Sequence, residues 1–280
     1  MTDAPEDPYD VNRAWWDECA GFHLETPFYQ RYVQKLMAGG HCLLPLEVGE
    51  LGDVKGLDVL HLQCHVGPDT LSLARLGAQV TGVDFSPVAI REATGLADRL
   101  GIEANFVQSE VGDLGGRFPQ RFDLVFTGYG ALSWLSDLTE WAENIAATLR
   151  PGGRLYVVEM HPLAYALDEE WTPESGPLRV RYPYLAQESP LEFDDDGTYA
   201  DRERLMKNRS TREWPRGLGD VVTAVQSAGL NLVFLREHAV GFCPIVQDME
   251  PDDDGHYRLP PELHGAYPMT FSLMATLAHP

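Results

Sequence analysis

Two features of the chain could do chemistry together: the turn Gln63-Cys64-His65-Val66-Gly67 and the acid Asp84. The turn follows a short apolar run of strand length, Val59, Leu60 and Leu62. It precedes Pro68-Asp69, which can open a helix, because proline at the first helical position has no N–H bond to lose. Leu73, Ala74 and Leu76 give that helix an apolar face before Gly77 stops it. A second strand, Val80 to Val83, ends on Asp84. In a strand-turn-helix-strand unit of this kind the turn holds the middle of a nucleotide-like ligand, and the closing acid accepts from a ribose hydroxyl. Asp84 lies 21 residues after Gln63, near the ~20 of a dinucleotide fingerprint. A G-x-G-x-x-G loop needs three glycines, and only Gly67 is present, so the ligand must be decided by the rest of the chain.

Other chemistries find less support. His61, Cys64 and His65 straddle a strand end, and no second Cys or His pair has zinc-like spacing, so no metal site is expected. No G-x-S-x-G elbow occurs, which leaves a serine hydrolase without its nucleophile. A nicotinamide oxidoreductase would use the same opening unit and is the main rival. The lysines are Lys35, Lys55 and Lys207, and none has a tyrosine four residues before it to polarise a carbonyl.

The elements around the unit follow from capping and periodicity. Aromatic residues alternate with charges from Val11 to Gly40, a pattern suited to one or two helices, after a disordered tip over residues 1–10. Leu43 to Lys55 reads as a connector. Ser86-Pro87 starts a helix whose apolar positions run from Ala89 to Leu100 before Gly101 ends it. Strands follow at Ala104–Val107 and Phe122–Phe126, and the loop Thr127-Gly128-Tyr129-Gly130 stands at the carboxyl end of the latter, where open α/β sheets bind ligands. Asp137 and Glu140 cap a helix, and Pro151-Gly152-Gly153 turns into a strand Leu155–Val158 that ends on Glu159-Met160-His161. Residues 162–215 lose clean periodicity, and their acid run Asp194-Asp195-Asp196 reads as a solvated turn. A helix from Leu218 to Gly229, a strand Leu230–Phe234, a long acidic connection over 241–268 and a closing strand Phe271–Leu277 complete the chain.

In order, VLHLQCHVG, GVDFS, FVQSEV, FDLVFTGYGALSWL and LRPGGRLYVVE resemble the motif series of the class I S-adenosylmethionine-dependent methyltransferases of small-molecule type. The likeness runs over about residues 57–160, and the LQCH turn is a variant of the family's first glycine-rich motif, with Gln63 and His65 where glycines are usual. It implies an α/β, Rossmann-like, seven-stranded sheet, mostly parallel with an antiparallel last strand. An N-terminal helical cap and connector (1–55) would precede a methyltransferase domain (56–280) with its core in 56–161 and 216–280 and an insertion at 162–215. It further implies that S-adenosylmethionine contacts Gln63, Cys64, His65 and Gly67 with its methionine end, Asp84 with its ribose, and Phe85, Ser86, Glu110, Val111 and Thr127 around the remainder. Trp16, His23, Tyr29, Tyr129 and Trp134 are candidates for the acceptor pocket, although Trp15 and Trp16 could equally pack on a sheet edge. His161 could contact the acceptor as a base or orienter, since an imidazole titrates near neutrality, or could serve only as a local cap. The expected activity is methyl transfer to an oxygen or nitrogen of a small molecule. A NAD(P)-dependent oxidoreductase and a non-catalytic S-adenosylmethionine-binding protein are the alternatives.

Composition narrows the partners. The formal charge of -22, with 43 acidic against 21 basic residues, disfavours a nucleic-acid substrate, which asks for a basic stripe. No apolar run approaches the ~18 residues of a membrane span. The acidic start MTDAPEDPYD lacks a signal region, and four scattered cysteines read as free thiols, so a cytoplasmic location is expected.

Overall fold

β1 (Asp58–Leu62) is buried at all but its first residue, because it lies in the middle of a sheet with both faces covered. The computed structural model describes residues 7–247, 249, 251–252 and 255–278. Among them, β1 joins β2 (Gln79–Asp84), β3 (Asn105–Gln108), β4 (Phe122–Thr127), β5 (Leu149–Met160), β8 (Leu230–His238) and β9 (Thr270–Leu277) in one sheet of order β3-β2-β1-β4-β5-β9-β8. The first five strands are parallel, and β9 runs antiparallel to both β5 and β8. This is the Rossmann-like, seven-stranded sheet with an antiparallel last strand. The sheet order reverses between β1 and β4, so a cleft opens at their carboxyl ends.

Strand alternation divides the core in two. Leu60, Leu62, Leu155, Val157 and Leu273 face α7 (Leu138–Thr148) and α9 (Leu218–Ser227) through Trp141, Ile145, Val221 and Val225. Val59, Leu124, Phe126, Tyr156 and Val158 face the opposite side, against Leu51 of α3 (Pro45–Leu51) and Leu73 of α4 (Pro68–Arg75). α5 (Pro87–Leu100) starts on Ser86 and ends on Gly101 as its caps predict. α1 (Pro8–His23) and α2 (Pro27–Met37) add a third cluster, in which Ala20, Leu24, Val33 and Leu36 cover Val66, Leu71, Ala89 and Leu96 of the α4 and α5 region. A four-residue helix, α6 (Leu114–Arg117), precedes β4.

The structure corrects several sequence expectations. Residues 8–10 belong to α1, because Asp7 accepts from the Tyr9 N–H and Pro8 occupies the first turn; residues 1–6 of the expected tip lie outside the described residues. The connector contains α3, whose seven residues are too few to display a helical period. β5 begins at Leu149, ahead of the Pro151-Gly152-Gly153 turn, through a register irregularity opposite Phe122 and Leu124. β8 extends four residues past Phe234 to His238. Residues 162–215 hold a one-turn helix, α8 (Pro162–Tyr165), and a hairpin of β6 (Leu191–Asp194) with β7 (Ser210–Glu213). Arg209 pairs with Asp194 and Asp196 across the hairpin's acid turn.

Candidate functional site

The turn after β1 shows why its residue types matter. Gln63 and His65 take positive φ, at 50° and 48°, the region glycine enters freely and other residues enter at a cost of about 1–2 kcal/mol. The backbone therefore keeps the shape of a glycine turn, and the two side chains add contacts that glycine cannot make. Gln63 donates from Nε2 to the Ala131 carbonyl at 2.9 Å, joining the turn to the loop after β4, and its buried Oε1 has no partner. Gly67 has φ 87°, and a Cβ there would lie 2.9 Å from the Phe106 ring and 3.0 Å from Ala93, so no larger residue fits. Asp84 closes the unit by accepting the backbone N–H of His65 and of Ser86, each at 2.9 Å. Burial raises the Asp84 carboxyl to about 6 against the lowering effect of those N–H bonds.

His65 belongs to a relay with a defined proton arrangement. Thr198 Oγ1 accepts the N–H groups of Ala200 and Asp201, so its own hydrogen is left for His23 Nε2, 3.1 Å away. His23 then carries its proton on Nδ1 and donates to His65 Nε2 at 2.9 Å. That leaves His65 with a proton on Nδ1, on the ring that lines the cleft. Burial pushes His23 down to about 2 and His65 to about 3, so both rings stay neutral.

The cleft is a cavity of about 460 Å³ above the carboxyl ends of β1, β2 and β4. Gln63, Cys64, His65, Asp84, Phe85, Glu110 and Val111 line it, as do Trp16, Tyr29, Tyr129 and Trp134. The cap closes over it. Trp15 stacks on Trp134 at 5.7 Å, Trp16 meets Trp134 edge-on at 5.1 Å, and Arg13 reaches Glu110 at 2.6 Å. Tyr129 stacks on Phe242 at 4.2 Å.

Other candidates from the sequence stand beside the cavity rather than in its wall. Gly67 lies under the turn, and Ser86 caps α5 while donating to Asp17. Thr127 is fully buried with an unpartnered hydroxyl, and His23 sits behind His65. His161 takes the local-cap role that the sequence left open beside acceptor contact. Its Nδ1 accepts the Leu163 N–H at 3.0 Å and caps α8, while Nε2 pairs with Glu237 at 2.9 Å, so both nitrogens are engaged away from the cavity wall. Pro162 at the first position of α8 fixes this, because it makes His161 the cap residue. His61, weighed as a metal ligand, bonds Thr70 at 2.7 Å and packs edge-on to Phe126. Among the described residues no group of three ligating side chains could hold a metal.

Four carboxylates were not singled out by sequence reasoning. Glu159 accepts four backbone N–H groups, from Gly130, Ala131, Leu132 and Met160 at 2.5–3.0 Å, and so shapes the loop after β4. An acid at the end of an otherwise apolar strand was the available signal. Glu47 and Asp69 line the cavity on its β4 side, near Tyr129. Glu213 lines it from β7, raised by burial to about 8.

The profile of a family described as methyltransferase domain matches residues 60–155. A ubiquinone biosynthesis O-methyltransferase of Methylobacterium sp. is 28% identical over 154 residues, covering 54% of this chain and 60% of that protein. Its counterpart in Xanthomonas euvesicatoria is 32% identical over 158 residues, covering 55% and 59%. The match thus spans about three-fifths of the length of these relatives. A S-adenosylmethionine-dependent methyltransferase from Mesorhizobium loti has a similar fold, with a TM-score of 0.58 at 21% identity over 83% of this chain and 96% of that one.

Proposed function

We propose that this chain is an S-adenosylmethionine-dependent methyltransferase acting on an oxygen or nitrogen of a small-molecule acceptor. The observation that carries the reading is the buried Asp84 carboxylate, bonded to the turn at His65 and Ser86 and lining the cavity inside the segment that matches the methyltransferase domain. The residues present suit the cofactor. Gln63 Oε1, buried without a partner, is an acceptor for an α-ammonium, and the His65 Nδ1–H is a donor for an α-carboxylate. Asp84 accepts from the ribose hydroxyls, while Phe85, Glu110 and Val111 flank the base. S-adenosylmethionine supplies, when bound, a methyl group already activated by its sulfonium.

The protein's share of the work is then alignment and exclusion of water. Trp15, Trp16 and Trp134 roof the cavity, and the loop held by Glu159 forms one wall. Holding two reactants in line supplies much of the rate of such a transfer without a covalent intermediate. A base is needed only for an acceptor that must lose a proton. No lysine lines the cavity among the described residues, which speaks against the carbonyl chemistry of the rival oxidoreductase.

Calorimetry with S-adenosylhomocysteine and NAD tests this reading. Asp84→Ala should lose roughly 1.5–3 kcal/mol of S-adenosylhomocysteine affinity, the scale of charge-assisted hydrogen bonds. Unchanged affinity in the variant, or tight NAD binding without S-adenosylhomocysteine binding, counts against the reading.

A further inference from the structure

The β4 side of the cavity has a chemistry of its own. Glu47 is 2% exposed; its Oε2 accepts the Leu44 N–H at 2.7 Å, while Oε1 has no hydrogen-bond partner among the described residues and the side chain lines the cavity. Asp69, in the first turn of α4, lines the same wall with neither carboxylate oxygen hydrogen-bonded among the described residues. Phe28, Tyr29, Tyr32 and Tyr129 line the same cavity as the pair. Phe28 meets Tyr29 and Tyr32 edge-on at 5.4 Å, and Tyr129, whose hydroxyl feels the charges of Glu47 and Asp69, stacks on Phe242. Tyr199, from the insertion, closes this end through a 2.5 Å bond to the Tyr29 hydroxyl.

None of the described residues lining the cavity is Lys or Arg. The Arg31 guanidinium stacks on Phe28 and Tyr32 at 4.3 and 4.8 Å and bonds the Tyr32 hydroxyl, but does not itself line the cavity. Burial raises both carboxyls, Asp69 to about 6, and the Asp69 charge raises Glu47 further. An unpaired buried carboxylate is costly, and an anionic ligand would worsen it. A cation seated between two carboxylates and aromatic faces removes that cost and gains cation–π attraction.

Resting on the methyl-transfer reading, we propose that the acceptor carries a protonated amine, held by Asp69 and Glu47 within the ring of Phe28, Tyr32 and Tyr129. The amine is a recognition handle on the acceptor, and this assignment applies whether the methylated atom is oxygen or nitrogen.

The test is calorimetry on the full chain saturated with S-adenosylhomocysteine at neutral pH, using phenethylamine, 2-phenylethanol and 3-phenylpropionate as matched probes. The amine should bind at least roughly tenfold more tightly than the alcohol, as a charged hydrogen bond provides, and the carboxylate least. Asp69→Asn should remove most of that preference while S-adenosylhomocysteine affinity stays at the wild-type value, and Glu47→Gln should do the same if it folds. Absence of an amine preference in the wild type, including no measurable binding of any probe, overturns the proposal. A preference undiminished in Asp69→Asn overturns it equally. If the wild-type chain fails to bind S-adenosylhomocysteine, the methyl-transfer reading falls. The three probes are then compared on the free chain, where the same order is still expected.

Discussion

Asp84 sits where a carboxylate is hard to keep charged, and that makes the proposed ribose contact dependent on pH. Burial raises it to about 6, above the usual value for an aspartate, while the N–H groups of His65 and Ser86 work in the opposite direction. Two ribose hydroxyls are best accepted by the ionised form, so the contribution of Asp84 to S-adenosylhomocysteine affinity should be constant above about pH 7, where Glu213 near 8 is the cavity acid still titrating. That contribution should fall as the pH drops through 6, by up to about tenfold per unit. Calorimetry across that range checks the slope, and Asp84→Asn should flatten it. His23 and His65, held down to about 2 and 3, stay neutral throughout and add no slope. Asp69 also titrates near 6, but S-adenosylhomocysteine carries no sulfonium for its charge to attract. A histidine flanking the site would instead give a change centred nearer its ordinary 6.5 and of the opposite form, with charge gained on acidification.

At the scale of elements, the loop after β4 depends on one side chain from the next strand. Glu159 is 5% exposed and satisfies four backbone N–H groups, three of them in the Gly130 to Leu132 loop that walls the cavity. Glu159→Gln turns one acceptor oxygen into a donor facing other donors, so the variant should lose about 2–3 kcal/mol in urea unfolding. Acceptor and cofactor binding should weaken with it; wild-type stability would show that the loop holds its shape without the carboxylate. The sequence reveals such parts unevenly. α5 was legible at both ends because Ser86, Pro87 and Gly101 are local signals, and Asp84 was legible because it ends a strand at a known distance from a turn. The meeting of Glu47 with Asp69 was not, since α3 and α4 are separated by β1 and only the packed sheet brings them together. β6 and β7 were hidden for a related reason: each is four residues long, too short to show a period, and they pair across fifteen intervening residues. For His161 the sequence left acceptor contact and capping both open, because its position after β5 faces the cleft end while the partners of its nitrogens, the Leu163 N–H and Glu237, are set by the fold.

At the scale of the molecule, a surface carrying a formal charge of -22 repels phosphate backbones and attracts cations, in keeping with a cavity walled by carboxylates. The same scale decides whether the helical cap is a separable lid. A lid in the simple sense could be removed from a core that stays folded. Here α1 and α2 share an apolar cluster with α4 and α5, in which Val66, Leu71 and Leu96 are each 0% exposed. Uncovering a side chain of this size costs roughly 1.5–3 kcal/mol. Three of them together reach about 5–9 kcal/mol, against a total stability of about 5–15 kcal/mol for a whole domain. Polar ties fail along with them: Asn12 exchanges two 2.8 Å bonds with the Arg212 backbone of β7, Arg13 holds Glu110, and His23 holds His65. Deletion of residues 1–40 should therefore give a chain that aggregates or unfolds and binds no S-adenosylhomocysteine. The full chain should unfold in a single transition by circular dichroism and calorimetry. A truncated protein that remains monomeric, folded and able to bind S-adenosylhomocysteine would show instead that the cap is an independent layer, closing on a core already complete without it.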